Sequence, residues 1–199
     1  IREDFPVVFI GHRELPGVET SYVAADYTAA TAQIVGHLLE NGHRRIVYLG
    51  VAGGGEPGRE RRIGYEQAML EQNLMDASFI NILDSLKQVS GELLLSYLDR
   101  GVTALVCEDY IVCGRVVHAA ELSGIKIPDD LSIAVLSGPS ESVLGNYDWT
   151  SFLIPDIEMG KTAVSFLSQM IDSENRIALR SLLPCEIHLG HTVKRINSE

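Results

Sequence analysis

Apolar residues return along this chain in two rhythms. Short blocks of consecutive apolar residues recur between stretches in which apolar positions come back every third or fourth residue. The first rhythm predicts buried strands and the second amphipathic helices. Phe5–Ile10 is the first block and predicts a strand. Asp26 then precedes Ala29, Ala30, Ile34, Val35, Leu38 and Leu39, which are spaced as in a helix. Asp26 is a candidate N-cap for it and Gly42 its stop. Arg45–Leu49 predicts a second strand, Val51–Gly58 a glycine-rich loop, and residues 60–73 a helix through Ile63, Ala68, Met69 and Leu70.

The alternation continues to the end of the chain. Residues 79–83 predict a strand, and Ser90 caps a helix that runs to Asp99 and stops at Gly101. Residues 102–107 are apolar except for Thr103 and predict another strand. A helix over 110–122 ends at Gly124, and Pro128 bars its continuation. Residues 131–136 predict a strand, 137–148 a loop, 149–154 an extended segment, 156–171 a helix and 182–189 a further extended segment. Apolar strands alternating with helices predict an α/β fold with parallel sheet covered by helices. Such folds bind ligands beyond the carboxyl ends of their strands. The loops after Ile10, Leu49, Leu83, Cys107 and Leu136 are therefore the places to look for chemistry.

Composition narrows the classes. Of the 199 residues, 46% are apolar and 22% charged, which excludes a disordered chain. A chain of this length removes about 70% of its unfolded surface from water, enough for a sizeable core. No apolar run approaches the ~18–20 residues of a membrane span. Ile1–Asp4 carries two acids and does not read as a signal peptide. Sixteen basic against 27 acidic residues give a net charge of −11, so this chain by itself is a poor partner for nucleic acid. Cys107, Cys113 and Cys185 are odd in number and form no CxxC, which supports neither a disulfide framework nor a zinc ribbon. A reducing cytosol fits that usage.

Few motifs carry chemistry. Gly53–Gly58 satisfies G-x-G-x-x-G between a strand and a helix, with Asp84 placed where a ribose-binding acid would lie. Three residues separate the motif from its strand, however, and Glu56 would set a negative charge beside a pyrophosphate. Gly160-Lys161-Thr162 lacks the leading glycine of a P-loop, since Pro155 stands there. His188 and His191 lie three apart in a predicted strand and so face opposite ways, which excludes a shared metal. No catalytic residue, metal ligand or cofactor is expected. Arg59, Arg61 and Arg62 cluster at a helix start, against the helix dipole, where an arginine fork suits hydroxyls or a carboxylate.

A series of phrases adds to this. It opens with Pro6-Val7-Val8-Phe9-Ile10, then Asp26 followed by His37-Leu38-Leu39-Glu40-Asn41-Gly42-His43-Arg44-Arg45-Ile46. Arg61-Arg62-Ile63-Gly64-Tyr65 and Cys107-Glu108-Asp109 with Gly114 come next. Gly124-Ile125-Lys126-Ile127-Pro128-Asp129-Asp130-Leu131-Ser132-Ile133 follows. Thr150-Ser151 with Pro155, Gly160 and Ala163, and Leu182-Leu183-Pro184 with Glu186, close the series. In this order the phrases resemble the effector-binding domain of the lactose/galactose repressor family of bacterial transcription regulators, over nearly the whole chain.

The resemblance implies a type I periplasmic-binding-protein-like fold, with two parallel α/β lobes and a small-molecule effector in the cleft between them. It places the lobe crossings near Val23–Asp26, Thr150–Leu153 and Leu182–Pro184. Residues 1–23 and 152–182 then belong to a partial N-terminal lobe, and 24–151 with 183–199 to the C-terminal lobe. Further strands and a helix-turn-helix headpiece are expected ahead of Ile1, so operator DNA is a partner only through that headpiece. The family implies a cytoplasmic homodimer that senses a sugar or related metabolite and is not an enzyme. The helix over 110–122 offers Ile111, Cys113, Val116 and Val117 either to a second copy or to the sheet. A solute-binding protein of the same fold, and an NAD-dependent enzyme using Gly53–Gly58, are the alternatives.

By the same resemblance the ligand-binding residues are Arg61, Glu108, Asp109, Gly11, His12 and Ser137. Arg61 matches the family's cleft arginine. Gly11 stands where an acid is common, Ser137-Gly138 where paired acids are common, and Glu108 where the family has Asn. Glu108 either stands in for the missing acids or favours a cationic, amine-bearing ligand. Asp109 is expected to act first as a helix N-cap.

Overall fold

A computed structural model describes residues 5–13, 15–138, 147–172 and 177–196. The chain divides into two compact units: Ile1–Asp26 with Ile154–Cys185, and Tyr27–Leu153 with Glu186–Glu199. The boundaries follow residues 26, 153 and 185, where the resemblance had suggested 23, 151 and 182. The reason is that each strand next to a boundary runs out whole before the chain changes unit.

The smaller unit holds β1 (Val8–Ile10), β2 (Ser21–Ala25) and β8 (Arg180–Leu183) in the order β1-β2-β8, all parallel. Helix α5 (Asp156–Asp172) packs on β1 and β2. Val23, Ala24 and Ala25 of the central strand are buried. The central strand β2 has no counterpart among the predicted elements. Its small residues make a weak strand signal, and it runs directly into the helix that Asp26 precedes.

The larger unit is built on a six-stranded sheet in the order β4-β3-β5-β6-β7-β9. Its strands are β3 (Ile46–Val51), β4 (Ile80–Leu83), β5 (Ala104–Cys107), β6 (Ser132–Val135), β7 (Thr150–Leu153) and β9 (Glu186–His188). All pairings are parallel except β7 with β9. Helices α1 (Tyr27–Glu40), α2 (Gly55–Glu71), α3 (Gly91–Asp99) and α4 (Tyr110–Ser123) cover the sheet. Every residue of β5 and β6 is buried, as a strand covered on both faces requires. Val47, Leu49, Leu105, Cys107, Ile133 and Val135 pack with Leu94 and Tyr97 of α3 and Val112, Cys113 and Val116 of α4. Tyr48 faces the other way, its ring 5.6 Å from Tyr65 of α2, whose hydroxyl donates to the Ile46 carbonyl at 2.6 Å. Cys113, Val116 and Val117 therefore belong to the sheet, and Ile111 alone of the four named positions on α4 stays exposed.

Helix α2 begins at Gly55, inside the segment expected to be loop. Pro57 falls in its first turn, where a missing N–H costs no helix bond. Gly64 lets α2 approach α1 closely, since a methyl group there would overlap the Thr28 carbonyl.

At the amino ends of the strands the chain's last segment forms a strap. The Thr192 carbonyl accepts from Ile133 N–H at 2.8 Å, and its hydroxyl accepts from Thr150 N–H at 3.0 Å. Lys194 N–H donates to the Ser132 hydroxyl at 3.1 Å. The buried His43 completes it, with Nε2 3.0 Å from the Lys194 carbonyl and Nδ1 2.8 Å from the Thr103 hydroxyl. A carbonyl only accepts, so Nε2 carries the proton and Nδ1 accepts from Thr103.

Burial lowers the His43 pKa below its ordinary 6.5. The unfolded chain then binds the proton more readily, so this contribution is complete above pH 6.5 and is lost as the pH falls through the lowered folded value. His43→Gln should cost about 1–3 kcal/mol at neutral pH. It should also flatten the loss of stability between about pH 7.5 and about pH 5.5. Urea unfolding of both proteins at the two pH values checks this; parallel acid dependences would exclude His43 as its source.

Candidate functional site

The parallel order β3-β5-β6 brings three strand ends to one edge of the larger sheet. β3 runs into the glycine loop and α2, which carries Arg61. β5 ends at Cys107, and Glu108 and Asp109 lead into α4. β6 is followed by Leu136, Ser137 and Gly138. The fold thus brings Arg61, Glu108, Asp109 and Ser137 to the carboxyl end of one sheet. Gly11 and His12 follow β1 in the smaller unit. Gly11 has φ +104° and donates its N–H to the Val23 carbonyl at 2.8 Å. The His12 ring lies 4.7 Å from that of Tyr22.

Asp109 and Ser137 serve the first turn of α4. The Asp109 carboxylate accepts from Val112 N–H at 2.8 Å, the N-cap arrangement expected for it. The Ser137 hydroxyl oxygen accepts from Tyr110 N–H at 3.1 Å.

Glu108 is 5% exposed, and its carboxyl group points into the glycine loop. The oxygens sit against Gly50, Gly54 and Gly58, and a methyl group at any of the three would overlap them. The carboxyl is held by the Val51 N–H and by a hydrogen bond with Tyr48. The Tyr48 hydroxyl also lies 3.2 Å from the Gly58 carbonyl. Burial pushes the Glu108 pKa above the ordinary carboxyl range, Arg61 pulls it back, and Asp109 adds to the rise. Burial and then the Glu108 charge push the Tyr48 phenol up in turn.

The G-x-G-x-x-G segment therefore cradles an internal carboxyl group, in the place where a nucleotide-binding loop would hold a phosphate. This removes the ground for the dinucleotide reading. The shallow cavity of about 220 Å³ left beside the loop has Glu108, Arg59, Arg62 and Ile82 among its walls. A larger cavity of about 550 Å³ lies in the smaller unit beside β1. Phe5, Phe9, Leu15, Val18 and Met170 line it, together with Glu19, Thr20 and Ser21.

Arg61 is 8% exposed. Its guanidinium carbon lies 4.4 Å from the centroid of the Tyr27 ring, and its Nε has no hydrogen-bond partner among the described residues. Arg59 and Arg62 are partly exposed and ion-paired with Glu56 and Glu66 respectively, though the Arg62 Nε, like that of Arg61, has no hydrogen-bond partner among the described residues. Tyr27, Tyr48 and the three cradle glycines were not singled out individually from the sequence. A sheet-facing Tyr with glycines two and six residues further on is a faint signal, visible only once Glu108 is known to be buried beside them.

The histidine pair differs from expectation. β9 ends at His188, so the two-residue strand period does not extend to His191. Both rings turn to one carboxylate: His188 Nε2 lies 2.6 Å and His191 Nδ1 3.0 Å from the two Asp148 oxygens. The pairing holds the Asp148 pKa down, chiefly through the His188 hydrogen bond.

With this geometry in view, comparison with known proteins is informative. The periplasmic binding protein-like domain family matches residues 35–193. The chain belongs to that family. The transcriptional regulator DegA of Bacillus subtilis is 27% identical over 98% of this chain and 58% of its own length. The transcriptional repressor CytR of Escherichia coli is 25% identical over 94% of this chain and 55% of its own. A LacI family transcriptional regulator from Enterococcus faecium, solved with bound ribose, superposes with a TM-score of 0.80. It is 18% identical, and the match covers 96% of this chain and 72% of that structure. The resemblance to the lactose/galactose repressor family is borne out, as is the type I periplasmic-binding-protein fold. The chain spans little more than half the length of these two curated relatives. Among the described residues no helix is long and apolar enough to cross a membrane.

Seating Glu108 in the cradle should couple it to Gly50. Gly50→Ala pushes a methyl group into the carboxyl oxygens and onto Ile82, and overpacking of this kind costs about 1–3 kcal/mol. In a Glu108→Ala background that cost should fall by at least ~0.5 kcal/mol, the mark of direct contact. A double-mutant cycle by chemical denaturation measures it; additive effects would mean that the glycine and the carboxyl do not touch.

Proposed function

We propose that this chain is the effector-sensing part of a DNA-binding transcription regulator, with Arg61 as the polar anchor for a small-molecule effector. The observation that carries the reading is the buried Arg61, whose Nε lacks a partner among the described residues at the strand-end edge where α/β folds bind ligands. A buried donor left unpaired is costly, so a ligand that satisfies it is favoured. In this reading the protein is a cytoplasmic binding protein and not an enzyme. Ser137, Gly11 and His12 are candidate ligand contacts, with Asp109 and Glu108 supporting the site from within the fold. DNA is read by a headpiece carried in the remaining length of such a protein. Effector binding acts on that headpiece only through different affinities for two states.

The reading includes a homodimer, since two headpieces on a two-fold operator require one. Ile111 and Leu122 of α4 are 45% and 77% exposed and suit a partner surface. Light scattering on the full-length protein at micromolar concentration should return a dimer mass; a monomer mass would remove this part of the proposal.

Arg61→Ala should weaken effector binding by roughly ten- to over one-hundred-fold, the worth of a charge-assisted hydrogen bond of about 1.5–3 kcal/mol. Arg59→Ala should do much less, because that side chain is more exposed and already paired with Glu56. Calorimetry with an effector selected by thermal stabilisation from a sugar and metabolite library measures both variants. Equal affinities for wild type and Arg61→Ala would reduce Arg61 to a packing residue on Tyr27.

A further inference from the structure

Arg59, Arg61 and Arg62 lie within about one turn of α2, yet they are held differently. Arg59 and Arg62 pair with acids of their own helix, Glu56 and Glu66. Arg61 reaches across to α1, where its guanidinium carbon stands 4.4 Å from the centroid of the Tyr27 ring. The backbone on either side fixes that meeting. The hydroxyl of Thr28, the residue after Tyr27, donates at 3.1 Å to the carbonyl of Glu60, the residue before Arg61. Further along α2, Gly64 lies against the Thr28 carbonyl, where a methyl group would overlap it. The Tyr27 ring is backed in turn by Phe152 of β7, whose ring is fully buried and 6.2 Å away between centroids. All of these residues belong to the larger unit.

We infer that Tyr27 is a positioning residue of the proposed effector site: its ring sets where the Arg61 guanidinium stands before any effector arrives. The inference rests on the proposed effector site and names the group that prepares its anchor. The face of an aromatic ring is electron-rich and attracts a guanidinium, the more so where water is excluded. Arg61 is almost wholly buried, so solvent dilutes the attraction little. A ring also offers no oxygen to the guanidinium. Holding Arg61 in this way is consistent with an Nε that stays unpaired among the described residues. An anchor that is already immobilised loses less side-chain freedom when it binds, which is how Tyr27 acts on affinity through Arg61. Glu108 attracts the same guanidinium, so the experiment must remove the ring and keep that charge.

NMR of the protein labelled with 15N at arginine reads the contact without a ligand. Arg61 is assigned by the side-chain signal that Arg61→Lys removes. Protons over a ring face resonate upfield, so the Arg61 Hε should lie upfield of the range of exposed arginines. Tyr27→Phe should keep that position, and Tyr27→Leu, which keeps Glu108, should return it to the ordinary range. An ordinary signal in wild type, or an upfield one that survives Tyr27→Leu, would overturn the inference. The wild-type spectrum decides by itself if Tyr27→Leu does not fold. Wild type and both Tyr27 variants are then screened for thermal stabilisation with a sugar and metabolite library as the probe. A compound that stabilises wild type should bind Tyr27→Leu roughly two- to tenfold more weakly and Tyr27→Phe as it binds wild type. Equal affinities for wild type and Tyr27→Leu would overturn the positioning role and reduce the ring to a packing contact. A library in which nothing stabilises wild type would count against the effector reading, while the Arg61 signal would still decide whether Tyr27 holds the guanidinium.

Discussion

The larger unit depends on a carboxyl group seated among glycines. Glu108 leaves β5 with its N–H on the Leu49 carbonyl at 2.9 Å and its side chain directed back across β3. It lands where Gly50, Gly54 and Gly58 leave room for its oxygens and the Val51 N–H meets it. One residue therefore ties the end of β5 to the end of β3 and to the first turn of α2. Desolvating a carboxyl group is expensive, and the hydrogen bond from the Val51 N–H offsets part of that cost. The glycines are needed because the carboxyl takes the volume that their side chains would fill. That explains how an early, glycine-rich helix start persists despite poor intrinsic propensity. Tertiary contact outweighs about 1 kcal/mol per glycine.

The two ends of the sheet are specialised. At the amino ends, the strap over 190–196 closes the unit through backbone bonds, the Thr192 and Ser132 hydroxyls, and His43. Polar groups there are mutually satisfied and buried, which suits stability. At the carboxyl ends, Asp109 and Ser137 satisfy α4, Glu108 fills the glycine cradle, and Arg61 is left with a donor unpaired among the described residues. An unpaired buried donor is the exception in folded proteins, and it stands at the edge where ligands of α/β folds bind.

Much of this was legible from residue spacing. The alternation of apolar blocks and helical stretches located the five parallel strands of the large sheet, while the single extended segment expected over 182–189 is in fact two strands, β8 in the small sheet and β9 in the large one. Ser90 and Asp109 were readable as caps because a short acceptor before an apolar helical run has few other uses. The missed pieces share a physical cause. Strand β2 is built largely of small and hydroxyl-bearing residues, and it is covered in part by β8 and α5, which lie far away in sequence. The start of α2 was hidden because Gly53–Gly58 reads as a breaker unless the Glu108 carboxyl is known to fill it. The His188–Asp148–His191 cluster was excluded by extending a strand period past the strand's last residue. The orientation of Glu108 was likewise not readable, since the same Glu could face a ligand or the loop, and only the space left by three glycines decides.

Arg61 also has a structural neighbour that bears on how a binding event is felt. Its guanidinium stacks on Tyr27, the first residue of the larger unit after the chain leaves β2. The Tyr27 ring lies in turn 6.2 Å from Phe152 of β7, one residue before the chain departs again. The proposed ligand anchor is therefore in contact with one of the segments by which the chain passes between its two units, and one ring away from a second. Around them α1 and α2 are packed tightly, with Gly64 against Thr28 and the Thr28 hydroxyl on the Glu60 carbonyl at 3.1 Å. In such a tightly packed arrangement a small movement of the guanidinium is not absorbed locally, because close-packed interiors transmit strain rather than yield to it. A ligand at Arg61 that prefers one placement of Tyr27 would bias the crossing segments by its difference in affinity for the two placements, and by no more than that.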